Sequence, residues 1–181
     1  MATGIMIMGA SGAGKTTLGK MVAKDLNYKF VDIDEYIWRK DTEIPFSAMY
    51  PKHEKVRRLI DAISDCNHFV MAGSMNSFHE YFDPYFKLVV YLHADSQIRV
   101  KRVHERELEW FGKRLSEGGD MYEEHRKYLS DVAGYDYGIG GCTLQQHEKW
   151  LEAVECPVIR LDGADELEKN LQIIVETYTG L

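Results

Sequence analysis

Gly9-Ala10-Ser11-Gly12-Ala13-Gly14-Lys15-Thr16-Thr17 fits the pattern G-x-x-x-x-G-K-[ST], and its flanks suit what that pattern does. Just before it, Ile5-Met6-Ile7-Met8 is a short apolar run suited to a buried parallel strand. Just after it, Leu18, Met21, Val22 and Leu26 fall at i, i+3, i+4 and i+8, the spacing of one buried helix face. Glycines let the backbone curl until successive N–H groups point inward, and the helix N-terminus behind them adds its own positive end. In such a cradle Lys15 reaches the β- and γ-phosphates and the Thr16 hydroxyl ligates Mg²⁺. The whole run Gly9, Ala10, Ser11, Gly12, Ala13, Gly14, Lys15, Thr16 and Thr17 is therefore expected to bind a nucleoside triphosphate.

With 181 residues the chain fits one domain, 1–181, large enough to bury a core without disulfides or structural metal. An apolar fraction of 45% excludes a disordered protein. No apolar run approaches the ~20 residues that span a bilayer, so no membrane partner is expected. The N-terminus lacks the basic region and small-residue cleavage site of a signal peptide. Cys66, Cys142 and Cys156 are an odd, scattered set, read as reduced thiols in a cytoplasmic protein. A net charge of −7 argues against a nucleic-acid partner, which needs many Lys and Arg contacts to phosphate. Yet Arg99, Lys101, Arg102, Arg106, Lys113 and Arg114 crowd into one segment, as a local phosphate site requires.

Further along, Tyr28–Ile33 reads as a second strand ending in Asp32 and Asp34, His68–Gly73 as a third, Lys87–Leu92 as a fourth and Pro157–Leu161 as a fifth. Helices are expected around Val56–Ile63, at about 96–110, 121–132 and 144–154, and from Leu167 to Tyr178. Trp38–Pro51, with two prolines and several aromatics, reads as a loop or broken helix. Strands alternating with amphipathic helices imply a parallel sheet covered on both faces, with ligands at the strand C-termini. In an extended Asp32-Ile33-Asp34, alternation puts both carboxylates on one face; Asp34 capping a helix from Glu35 is the other reading. Arg102 and Arg106 share a helix face, where they meet either phosphate or the neighbouring Glu105, Glu107 and Glu109. Cys142 with His147, and His104 with His125, lack the spacing of a structural zinc site. Met6 and Met8 read as core filling.

An N-terminal phosphate-binding loop, five strands and a basic segment after the fourth together resemble the nucleoside monophosphate kinase-like branch of P-loop proteins, which includes adenylate, shikimate and gluconate kinases. Gly118-Gly119-Asp120-Met121-Tyr122 with His125, and His147-Glu148-Lys149-Trp150-Leu151 before Cys156-Pro157-Val158, are similar to adenylate kinase-like ATPases of unassigned acceptor. The resemblance implies a three-layer α/β/α fold with a five-stranded parallel sheet in the order 2-3-1-4-5. It also implies an acceptor-site segment at about 34–66 and a helical lid at about 105–130.

It implies Mg-ATP-dependent phosphoryl transfer to a small molecule: a nucleoside or nucleotide, a sugar acid or a hydroxy acid. Carried residue by residue, Asp32 joins Thr16 at Mg²⁺, and Asp34 contacts and orients the acceptor. Arg102 and Arg106 begin the lid, one stacking on adenine and the other touching phosphate, with Arg114 further in. Arg57 or Arg58 would suit an anionic acceptor, with Trp38, Phe46, Tyr50 and His53 nearby and Gly73 and Ser74 opposite; two exposed surface arginines are the plainer reading. After the third strand the chain reads Met71-Ala72-Gly73-Ser74-Met75. Neither the Asp-Gly-Phe-Pro-Arg pattern of adenylate kinases nor the Gly-Gly-Gly turn of shikimate kinases is present, so neither AMP nor shikimate is singled out. A regulatory NTPase that switches a protein or nucleic-acid partner, or a plain NTP hydrolase, would share the same loop.

Overall fold

The apolar run before the glycine loop is the central strand. In the computed structural model, which describes residues 2–181, β1 (Thr3–Met8) lies between β3 (His68–Ala72) and β4 (Phe86–His93). β2 (Lys29–Asp32) and β5 (Val158–Asp162) form the edges, giving a parallel sheet in the order β2-β3-β1-β4-β5. Strand alternation sorts the core into two layers. Met6 and Met8 face one cluster with Phe69, Met71, Val89 and Tyr91, covered by Leu59 and Ile63 of α3 (Lys52–Ile63) and Trp150 and Leu151 of α6 (Leu144–Ala153). Ile5 and Ile7 face the other, with Leu18 and Val22 of α1 (Lys15–Leu26) and Ile174 of α7 (Leu167–Thr179). The order 2-3-1-4-5 places β1 where the chain's crossovers diverge, so the loop leaving its C-terminus opens at the topological switch point.

The expected strands and helices form, with ends displaced by a few residues. One displacement matters: β2 stops at Asp32, because Ile33 adopts helical dihedrals (φ −57°, ψ −39°) and starts the one-turn α2 (Asp34–Ile37). The segment Trp38–Pro51 is a loop pinned by a single antiparallel bridge between Trp38 and Met49. After β4, α4 (Ser96–Phe111) and α5 (Tyr122–Gly134) form a helical hairpin through the 3₁₀ turn Gly112–Leu115.

The basic segment divides in two, which corrects one expectation. Arg99 is not part of a phosphate site: it is fully buried and pairs with Asp136 at 2.6 Å. It also donates to the Ala94 and Val132 carbonyls at 2.8 and 3.3 Å. Arg99 thus fastens the start of α4 to the end of α5. Asp136→Asn would strand a buried guanidinium without its counter-charge, and is expected to cost about 3 kcal/mol in urea unfolding. An unchanged unfolding midpoint would show that the backbone carbonyls alone suffice.

Candidate active site

The glycine loop owes its shape to backbone that other residues avoid. Gly9 has φ +145°, and a Cβ there would sit 2.2 Å from the Leu92 carbonyl oxygen. Gly14, at φ +104°, caps α1, and its carbonyl takes the Leu18 amide at 3.0 Å. No side chain caps α1 and its first turn holds no acidic residue, so its leading amides remain available to an anion. Lys15 bends back over the loop and donates from Nζ to the Ala10 carbonyl at 2.8 Å. Burial pushes the Lys15 ammonium below its ordinary pKa, while Asp34, Cys142 and Asp32 act to keep the charge on and Arg106 opposes it. The groups that act on this one ammonium come from three parts of the chain: the Asp32–Asp34 turn, Arg106 and Cys142.

Thr16 donates from Oγ1 to Asp32 Oδ2 at 3.1 Å, and the Asp34 amide donates to Asp32 Oδ1 at 3.2 Å. Burial, then the neighbouring Asp34, raise the Asp32 carboxyl above its usual range. The acidic pair adjoins through the sharp strand-to-helix turn at Ile33, not through alternation along an extended strand, which corrects that expectation. Nor does Asp34 cap a helix from Glu35; it is the first residue of α2, and its Oδ1 accepts from Trp38 Nε1 at 3.2 Å. A cleft of about 580 Å³ opens beside Asp32, between Lys20, Phe30, Glu35, Tyr36, Lys40 and Arg58.

Arg102 donates to the carbonyls of Gly12, Ala13 and Gly163 at 3.4, 3.5 and 3.0 Å, tying the glycine loop to the turn after β5. Arg106 lies with its guanidinium 4.9 Å above the Trp110 ring, and its buried Nε has no hydrogen-bond partner among the described residues. Arg114 pairs with Asp120 at 2.6 Å and reaches the Glu43 carbonyl at 3.4 Å, so the α4–α5 hairpin touches the loop after α2. Phe46, at φ +60°, completes that junction by stacking on Trp110 with 6.3 Å between ring centroids.

Arg57 is exposed and held by Glu54 and Asp61 at 2.7 and 2.9 Å. Arg58 pairs with the same Glu54 at 3.0 Å and lies 3.9 Å above the Tyr50 ring. Gly73 has φ +143°, and a Cβ would fall 2.7 Å from Ile33 Cβ, so its smallness lets β3 close onto β2.

Beyond Gly73 stands a cluster that the sequence does not announce. Ser74 Oγ is 3.0 Å from His147 Nε2, and Cys142 Sγ is 3.3 Å from the same nitrogen. Asn76 Nδ2 donates to Cys142 Sγ at 3.6 Å and to Gln146 Oε1 at 3.3 Å. Behind them the Tyr135 hydroxyl meets His147 Nδ1 at 2.7 Å and the Tyr91 hydroxyl at 3.1 Å. The signal available in sequence was the Thr143–Gln146 capping box, which fixes where α6 starts and hence where His147 points.

Burial, and then Lys15, push the His147 imidazolium down to about pH 3. The unfolded chain protonates near the ordinary value while the folded chain resists, so this contribution is complete above about pH 6.5. It is lost as pH falls toward 3, at about 1.4 kcal/mol per unit. His147→Gln is expected to flatten that part of a stability-against-pH curve; an unchanged slope would contradict it.

A glycine loop with its lysine at the switch point of a 2-3-1-4-5 sheet, an acidic pair beside it and an arginine-bearing hairpin above it define a P-loop kinase. The shikimate kinase family model matches residues 11–132, and the chain belongs to that family. It is similar to the uncharacterized protein YqaC of Bacillus subtilis, with 30% identity over 97% of each chain. An adenylate kinase isoenzyme 6 homolog of Caenorhabditis elegans shares 27% identity over 66% of this chain and 74% of its own. In fold it is similar to shikimate kinase from Acinetobacter baumannii in complex with shikimate, at a TM-score of 0.56 and 19% identity, covering 98% of this chain and 95% of the other. The protein is an ATP-dependent kinase that transfers a phosphoryl group to a small-molecule acceptor. Among the described residues, no helix is long and apolar enough to cross a membrane.

Proposed function

We propose that phosphoryl transfer takes place between Lys15 and Asp34, with the glycine-loop amides of Gly9–Thr17 and Lys15 holding the β- and γ-phosphates of ATP. The observation that supports this most is the chain of contacts leaving the loop: Thr16, next to Lys15, donates to Asp32 at 3.1 Å, and Asp32 accepts the Asp34 amide at 3.2 Å. Asp34 orients the acceptor hydroxyl or phosphate oxygen and takes its proton. Thr16 and Asp32, a hydroxyl beside a carboxylate at 3.1 Å, form a hard-oxygen pair that fits Mg²⁺. Bound there, Mg²⁺ would neutralise charge on the β- and γ-phosphates. Arg106, with its buried unpartnered Nε, and Arg114 neutralise the migrating group, while Arg102 borders the adenine side.

Residues 105–130 act as a lid and residues 34–66 as the acceptor segment; the Phe46–Trp110 stack and the Arg114–Glu43 contact are where the two meet. Gly73 and Ser74 close the acceptor side, and Arg57 and Arg58 flank it. Free cysteines support a cytoplasmic setting.

The test is ATP consumption with and without a mixture of metabolites. Acceleration by one component is the expected result. Slow turnover indifferent to every metabolite yet sensitive to a protein partner would favour a nucleotide-dependent switch instead, and phosphate release without any acceptor would favour a hydrolase.

A further inference from the structure

Contacts through three aromatic rings join Asp34 to Arg106. Asp34 Oδ1 accepts from Trp38 Nε1 at 3.2 Å, and the Trp38 ring meets Phe46 edge to face, with centroids 6.0 Å apart. Phe46 stacks on Trp110 at 6.3 Å, and Trp110 lies 4.9 Å beneath the Arg106 guanidinium. Trp110 and Arg106 are four apart on α4 and share one helix face. The step from Phe46 to Trp110 is therefore where these contacts cross from the acceptor segment to the α4–α5 hairpin.

Phe46 pays for its place at that crossing. Its φ of +60° suits glycine or asparagine and strains a bulky side chain. Burial does not explain the choice, since Phe46 and Trp110 remain 46% and 54% exposed. The turn itself is fixed by polar groups: Thr42 Oγ1 and Ser47 Oγ both donate to the Ile44 carbonyl, at 2.9 and 2.6 Å. What the ring adds to this turn is its contact with Trp38 and Trp110.

Arg106 in turn has few other partners. Arg99 and Arg114 pair with carboxylates at 2.6 Å, whereas Arg106 has only Glu107 Oε1, at 3.8 Å, among the described residues. The other Glu107 oxygen is committed to His125 Nδ1 at 2.6 Å, and the buried Arg106 Nε has no hydrogen-bond partner. The Trp110 face is thus the main support of a guanidinium whose donors remain available to phosphate.

We propose that Phe46 and Trp110 are positioning residues, whose stack sets Arg106 over the migrating phosphoryl group when the Trp38–Pro51 loop is in place. The inference rests on the kinase reading above, in which Arg106 neutralises that group and Asp34 holds the acceptor. It adds that the acceptor segment controls Arg106 through ring contacts. A displaced loop then leaves the phosphoryl group without its arginine, which disfavours transfer to water.

The experiment measures ATP consumption by the full chain with Mg²⁺ and the metabolite mixture, as kcat and as KM for ATP. Phe46→Asn, which suits the backbone but lacks the ring, and Trp110→Ala should each lower kcat about tenfold with KM for ATP within about threefold. Phe46→Tyr and Trp110→Phe, which keep a ring, should retain about half or more of the wild-type kcat. In an Arg106→Ala background, Phe46→Asn and Trp110→Ala should each lower kcat by no more than about twofold further. Wild-type kcat in both ring-deleting variants overturns the proposal, as does wild-type kcat in Arg106→Ala alone. A tenfold loss that persists in the Arg106→Ala background, or that appears equally in the Kd of a non-hydrolysable ATP analogue, marks a merely structural role and also overturns it. A wild type that no metabolite accelerates removes the kinase reading, and this inference with it.

Discussion

Lys15→Ala is expected to lower ATP turnover by about a thousandfold, to the background of a coupled assay, with the fold intact. The Lys15 ammonium is held at the Ala10 carbonyl by a 2.8 Å hydrogen bond and desolvated, with Asp34 and Asp32 acting against the loss of its charge. A cation fixed in a water-poor cradle stabilises charge developing on the γ-phosphate without reorganising, which is the largest contribution a phosphoryl-transfer site makes. Alanine removes that charge but little packing, so circular dichroism and thermal unfolding should change only slightly. Lys15→Arg is not expected to rescue, because a planar fork cannot replace a point charge at the Ala10 oxygen. Wild-type turnover in Lys15→Ala would remove the loop from the chemistry.

Asp34→Asn should lower kcat by about 10²–10⁴-fold and leave the Kd for a non-hydrolysable ATP analogue within about threefold. Asparagine keeps an oxygen for Trp38 Nε1, now 3.2 Å away, and keeps the backbone N–H that Asp32 accepts, so the turn at Ile33 survives. What disappears is the charge proposed to orient an acceptor hydroxyl and take its proton. The same change removes one of the influences that raise the Asp32 carboxyl, so Asp32 should ionise more readily in the variant. Parallel losses in kcat and in nucleotide binding would make Asp34 a structural residue.

The loop that carries Lys15 was legible because local rules govern it, whereas the role proposed for Asp34 came from the resemblance. The β1–loop–α1 unit declares itself through a continuous apolar run, glycines at left-handed positions and a helical stripe within about one supersecondary unit. Arg99 was misread for a different reason. Arg99, Val103 and Glu107 form the buried stripe of α4 at i, i+4 and i+8, but two of the three are charged and read as surface. Only the arrival of Asp136 from beyond α5 makes the burial of Arg99 tolerable. The turn at Ile33 was misjudged because a β-branched residue after an apolar run favours continuing the strand. Packing of Gly73 against Ile33 overrides that local preference. The cluster beyond Gly73 lay furthest out of reach: Ser74 meets Cys142 and His147 across 68 and 73 residues, joined only when β3 and α6 take their places. The arginines of α3 were visible, but that both pair with the same Glu54 became evident only from their geometry.

In the proposed reaction the γ-phosphoryl of ATP goes to an organic oxygen held between Lys15 and Asp34. Its most direct test follows γ-labelled ATP, incubated with wild type or Asp34→Asn and a metabolite mixture, by chromatography of the labelled products. Label is expected in one organic phosphate made by the wild type and nearly absent with Asp34→Asn. Label recovered only as inorganic phosphate, at the same rate in both proteins and with or without metabolites, would contradict it.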